Sequence, residues 1–180
     1  MKHKGNSDYE LLAKASGYAI YKQNDRLYFT NLGTAWIYTT RFVLGLLTFI
    51  LGVNGIIQLV LSLTGSSGIL LLGIILTGIA LLLFFLFRYI NGLLKQKNDR
   101  SLTDQDILCM IDLKDSTLLD ASGNVLAELD QVTMCKKMQI TSSSPALELN
   151  CAGNAITIIN GNPVAGGIAP YLTILKQYGL

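Results

Sequence analysis

Hydrophobic residues run almost unbroken through the middle of this chain, while on either side they alternate with polar ones. No charged residue lies between Arg41 and Arg88, and that interval holds two apolar runs, 42–63 and 69–87. Each approaches the roughly 20 residues that cross a hydrocarbon core of about 30 Å at about 1.5 Å per residue. Neither run shows a polar face, so both are predicted as membrane-spanning helices rather than as a buried hairpin of a soluble core. The turn between them, "TGSSG" at 64–68, is polar but uncharged.

After residue 101 the period drops to two. The segments "DILCMIDL", "STLLDA", "NVLAELD", "QVTMCKKMQI", "ALELNCA" and "AITIIN" are predicted as antiparallel strands. Leu147, Leu149 and Cys151 face one side, with Glu148 and Asn150 on the other. Turn residues at 120–123, 142–145 and 153–154 separate the strands. The stretch "NGNPVAGG" is read as a flexible loop, and Pro170 as a first-turn residue of a helix ending near Tyr178 and closed by Gly179. Tyr171, Ile174, Leu175 and Tyr178 would cover an open end of the sheet.

The N-terminal segment mixes both signals. "SDYELLAKASG" has Ser7 and Glu10 at capping-box spacing and Gly17 as a stop, which predicts a short helix. "YAIYKQNDRLYF" predicts a β-hairpin turning at Asn24 and Asp25. A two-stranded hairpin is marginal in water, so it needs a partner, either the C-terminal domain or the membrane surface. The fold class is therefore an α+β membrane protein in three parts: a short helix and β-hairpin over 1–40, a transmembrane hairpin over 41–92, and a small antiparallel β domain with a C-terminal helix over 101–180.

Composition agrees with this division. Apolar residues make up 51% of the 180, charged residues 14%, and the mean hydropathy is +0.44, too apolar for an ordinary soluble domain of this size. Some forty residues of mixed sequence precede the first apolar run, which argues against a cleaved signal peptide. Lys22, Arg26 and Arg41 precede the first helix and Arg88, Lys95, Lys97 and Arg100 follow the second, whereas the turn has no basic residue. The positive-inside rule then puts both termini in the cytoplasm and the turn outside. Trp36, Tyr38, Arg41, Arg88 and Tyr89 are the expected interfacial anchors. Lys2, His3 and Lys4 are read as a solvated terminus.

Within the helices, small residues fall in stripes: Gly45, Thr48, Gly52, Gly55 and Ser62 on the first, Gly73, Thr77 and Ala80 on the second. Such stripes let helices approach closely in lipid, here each other or another membrane protein. Asn54 and Gln58 are the amides of these runs and are expected to hydrogen-bond to the partner helix or to another subunit. The runs hold no Asp, Glu, Lys or His, which argues against an ion or proton pathway through this chain alone.

Catalytic chemistry has little to work with. His3 is the one histidine and sits near the terminus, which argues against a Ser-His-Asp or Cys-His site within the chain. Cys109, Cys135 and Cys151 form no CxxC pair, which leaves a zinc cage unsupported and predicts buried apolar thiols. No catalytic, cofactor or metal site is expected. Residues 101–180 carry Lys114, Lys136, Lys137 and Lys176 against eight carboxylates, a net of −4, which disfavours nucleic acid or phosphoinositide. "GNPVAGG" before a helix could offer amides to an anion but lacks a P-loop lysine.

Two apolar helices followed by six or seven short strands and one closing helix resemble the bacterial pleckstrin-homology-like membrane proteins. The likeness covers 42–180, and "LLDASGNVLAELDQV" resembles the layout of their middle strands. The strand segment ahead of the helices is similar to related small proteins with strands on both sides of a helical hairpin. The resemblance implies a cytoplasmic binding or scaffolding module at the inner membrane. The loop "DLKDST" departs from lipid-binding members of the wider superfamily, which carry a Lys and Arg cluster after the first strand. The expected function is a non-enzymatic accessory subunit whose hairpin and β domain bind another integral membrane protein. Its alternative is a self-contained lipid- or ligand-binding sensor with "NGNPVAGG" at its site. Membrane lipids are the further expected partner, and a homo-oligomer is the alternative to a foreign membrane protein.

Overall fold

The computed structural model describes residues 9–65, 67–99, 102–139, 142–151 and 153–179. Its first three elements are strands: β1 (Glu10–Ala15), β2 (Tyr18–Gln23) and β3 (Arg26–Asn31). The helix expected from "ELLAKA" is thus corrected to a strand, and Ser7 and residues 2–4 lie outside the described residues. Ser16 and Gly17 both have positive φ, 54° and 83°, the geometry of a tight two-residue hairpin turn. Gly17 is therefore a turn residue rather than a helix stop. A bulge at Leu12 lets Ala13 and Ala15 turn into the core. The second hairpin turns at Asn24 and Asp25 as expected, with Gln23 opposite Arg26.

Two long helices follow, α1 (Ala35–Ser62) and α2 (Ser67–Asp99). Both exceed the apolar runs: α1 starts seven residues earlier and α2 ends twelve later, so Trp36, Tyr38, Arg88 and Tyr89 lie inside helices rather than beyond their ends. The extension of α2 keeps a helical period, with Ile90 and Leu94 buried on one face and Lys95 exposed. At its C-terminus α1 closes on itself: Ser62 Oγ donates to Leu59 O at 2.6 Å, Thr64 Oγ1 donates to Leu61 O at 2.6 Å, and Gly65 has a φ of 105°. These bonds help to satisfy the last carbonyls of the helix, Leu61 O accepting the Thr64 N–H at 3.0 Å as well.

Six strands complete the fold: β4 (Ile107–Asp112), β5 (Thr117–Asp120), β6 (Val125–Glu128), β7 (Val132–Gln139), β8 (Ser142–Cys151) and β9 (Asn154–Asn160). The turn expected at 142–145 is strand instead. Ser142 pairs with Gln139, Pro145 O accepts Gly161 N–H at 3.1 Å, and Gln139 Nε2 donates to Ser144 O at 2.8 Å. Helix α3 (Ala169–Gln177) closes the chain with Pro170 in its first turn.

The strands form two antiparallel sheets, β1-β2-β3-β4-β5-β6 and β7-β8-β9. The N-terminal strands therefore belong to the same sheet as β4, and the chain divides into two units, not three. One unit holds the residues up to Tyr38 and from Lys97 onward, the other Thr39–Gln96. Ile20, Leu27, Phe29, Ile111 and Leu118 of the first sheet meet Leu147, Leu149, Ile158 and Ile159 of the second, and Tyr171 and Leu175 of α3 join the same core. The opposite face of the first sheet carries Tyr28, Met110 and Leu119, with Tyr9 packed edge-on to Tyr28 at 5.2 Å.

Candidate functional site

In the helical unit the small residues lie where α1 and α2 meet. A Cβ built on Gly55 would stand 2.5 Å from Thr77 Oγ1 and 2.8 Å from Thr77 N, and one on Gly73 would stand 2.9 Å from Leu59 N. Gly52 is looser, its added Cβ 3.7 Å from that of Ala80, and Gly45 faces the Phe87 ring at 3.4 Å. Only glycine permits the approach at Gly55 and Gly73. Beside this contact lies a groove of about 340 Å³ lined by Thr48, Gly52, Ile56, Thr77, Ala80, Leu81 and Phe84. The Thr48 and Thr77 hydroxyl oxygens are buried and have no hydrogen bond among the described residues.

Asn54 departs from expectation. It lies on the exposed side of α1, and its Nδ2 donates to Ile50 O of its own helix at 2.7 Å rather than to α2. Gln58, one turn on, is half-buried. Arg41 stands over the Phe87 ring at 5.9 Å, Trp36 and Tyr89 are exposed, and Arg88 is exposed beside Tyr89 on α2. Most of both helices is uncovered: the most apolar 18-residue window of each is 11% buried, unlike the core helix of a soluble fold. Both are long and apolar enough to cross a membrane.

In the β unit the polar groups are tied to one another. Arg26 Nε donates to Asp112 Oδ2 at 2.8 Å, and Asp112 Oδ1 accepts the Lys114 and Asp115 N–H groups at 3.1 and 3.2 Å. The Arg26 hydrogen bond, helped by these amides, holds the Asp112 carboxyl below the usual carboxylate range. The concavity of about 350 Å³ at this corner also includes Asp25 and Lys114, so its charges are mixed. Asp120 clamps its own turn by accepting from Asn124 Nδ2 and from the Ser122 and Asn124 amides, each at 2.8 Å, which lowers its pKa as well.

The "NGNPVAGG" segment is latched to the β1–β2 turn instead of hanging free. Ser16 N–H donates to Ala165 O at 3.0 Å, Ser16 Oγ donates to Gly166 O, and Asn162 N–H donates to Ser16 Oγ at 2.9 Å. The Val164 and Ala165 amides turn inward to Asn162, at 2.9 Å to Oδ1 and 3.2 Å to O. The Asn162, Val164 and Ala165 amides are thus committed within the latch.

Each sheet has two edge strands, β1 and β6 in the six-stranded sheet and β7 and β9 in the three-stranded one. Of these, the consecutive strands β6 and β7 expose Val125, Leu126 and Met138, the last by 73%, while β1 exposes Leu11. On β7, Val132 and Met134 turn toward the core, whereas Lys136, in phase with them, is exposed. Strand alternation marked these segments, but only the sheet order shows which strands are edges.

Cys109 and Cys151 are buried as expected, and burial pushes the Cys109 thiol up to about 12. Cys135 is corrected to an exposed thiol, because it points outward from β7. Among the described residues no three His, Cys, Asp or Glu side chains gather as metal ligands. Joining the N-terminal strands to the β domain also changes its charge, to 11 basic against 12 acidic residues. Compared with protein-family models, with curated proteins and with solved structures, the chain matches none.

Proposed function

We propose that the chain is a non-enzymatic accessory subunit of a membrane protein assembly, anchored by its helical hairpin and binding its partner through the β unit. In this reading α1 and α2 cross a bacterial inner membrane, and the β unit, resembling a pleckstrin-homology-like domain, lies in the cytoplasm. Connectivity supports the hairpin topology. The helices are inserted between β3 and β4, neighbouring strands of one sheet, so the segments entering and leaving the membrane emerge on the same side. The basic residues flanking the hairpin choose the cytoplasm for that side.

The observation that carries the reading is that the consecutive edge strands β6 and β7 together expose Val125, Leu126 and Met138. An unpaired edge offers backbone donors and acceptors, and apolar side chains beside it favour pairing with another chain. The sensor alternative loses support, since the loop it relies on is latched by Ser16.

The test is mild-detergent purification of the tagged chain expressed from its own locus, with native mass measurement, beside a Met138→Glu variant. A stoichiometric complex with another protein is expected, absent in the variant while its thermal melt is unchanged. A species made of this chain and lipid alone, whatever its copy number, would overturn the reading.

A further inference from the structure

On the exposed side of α1, Val43, Leu47, Ile50, Asn54, Ile57 and Leu61 follow one another at alternating spacings of four and three. The apolar members of this series are between 42% and 48% exposed, and Asn54 is exposed too. The spacing is that of a heptad seam, and Asn54 stands at one of its a positions between Leu47 and Leu61. A second exposed face of α1, including Phe49 and Val53, is entirely apolar and suited to lipid. The seam differs from it by one amide near the middle of the apolar run.

That amide is not used by the hairpin. Gly55, the next residue, faces Thr77 of α2, and Asn54 is turned about 100° away from it around the helix. Among the described residues its one hydrogen bond goes to Ile50 O of its own helix, which employs one of two N–H groups and neither lone pair of Oδ1. In hydrocarbon such a group is stabilised by a polar partner at its own depth.

We propose that α1 is a self-association surface: two copies of this chain, inserted with the same orientation, pack α1 against α1 along this seam. The proposal rests on the membrane-spanning reading above, but not on the accessory-subunit one. A two-fold axis along the membrane normal brings each Asn54 opposite the other at equal depth. The amide is its own complement, so N–H of one donates to Oδ1 of the other and the reverse. No charge lies between Arg41 and Arg88 to demand a counter-charge from a foreign helix, or to repel a second copy. Gln58, half-buried and one turn further on, flanks the same seam.

The experiment uses the purified full chain in phosphatidylethanolamine–phosphatidylglycerol vesicles, labelled with donor or acceptor dye at exposed Cys135, since Cys109 and Cys151 are buried. Energy transfer should rise with the protein-to-lipid ratio along a dimer isotherm. Asn54→Leu should move its midpoint about tenfold toward higher protein density. Asn54→Gln, which keeps the amide, should retain most of the association. Phe49→Leu, about 140° around the helix, should change the midpoint less than twofold. Transfer no greater than that of randomly placed chains, or an Asn54→Leu midpoint equal to the parent's, would overturn the proposal. Alkaline carbonate extraction separates the two levels. Chains that stay in the vesicles yet fail to associate overturn self-association alone, whereas chains released by carbonate overturn the membrane-spanning reading with it.

Discussion

Arg26 and Asp112 lie 86 residues apart in sequence and directly opposite each other in the β3–β4 ladder, their side chains joined at 2.8 Å. The whole helical hairpin is inserted between them. The bridge therefore reports whether the two halves of the β unit are assembled. Arg26 is half exposed, so its value as a surface pair is modest, and its geometry matters more than its strength.

Acid should open this junction. The Asp112 and Asp120 carboxyls are both held below their ordinary value of 3.8, so protons bind the unfolded chain more readily. Their contribution is present above about pH 4 and is lost as pH falls through the lower folded-state values. Thermal melts of the detergent-solubilised chain between pH 6 and pH 2.5 should show a falling midpoint at the acid end. Asp112→Asn should be less stable at pH 6 and show a flatter profile; a parallel profile would mean that Asp112 does not couple to folding.

Gly52 and Gly55 should part company under the same substitution. Gly52→Ala meets only ordinary contact at 3.7 Å and should be neutral, whereas Gly55→Ala must displace Thr77 backbone atoms at 2.8 and 3.2 Å. A loss of about 1–3 kcal/mol is expected for Gly55→Ala, measured as unfolding of the chain in mixed micelles with increasing SDS. Equal midpoints for both variants would show that α1 and α2 do not pack at this point.

Tyr171 is fully buried in α3, and its hydroxyl has no hydrogen-bond partner among the described residues. Desolvation drives its pKa upward, which keeps it neutral. Tyr171→Phe removes the unpaired group and keeps the ring, so it should be neutral or raise stability by about 1 kcal/mol in thermal denaturation. A destabilised variant would reveal a partner for the hydroxyl.

Native thiol titration should count one fast-reacting cysteine. Cys135 is exposed on β7, and Cys109 and Cys151 lie in the core, the former with its pKa pushed up to about 12. A thiol-specific reagent should modify one group at once and two more only after denaturation. Cys135→Ser should abolish the fast phase.

Much of the architecture was written in the chain itself. The long uncharged runs could only be apolar helices, since no other short-period element covers so many consecutive hydrophobic residues. The six C-terminal strands followed from alternation, with Leu147, Leu149 and Cys151 buried and Glu148 between them more exposed. The closing helix followed from Pro170 and the buried pair Tyr171 and Leu175. In each case the decisive contacts are local or repeat at a fixed period, so the pattern is visible without knowing what lies across from it.

Tertiary structure decided the rest. "ELLAKA" has helix-forming composition, yet it is a strand because pairing with β2 and the burial of Ala13 and Ala15 outweigh weak local propensity. The same holds for 142–145, where turn residues are drawn into β8 by Gln139 and Gly161. Whether the N-terminal strands pair with β4, which edges stay open, and that Asn54 faces away from α2 all depend on partners far away in sequence. Such relations are set by three-dimensional packing, and no period along the chain encodes them.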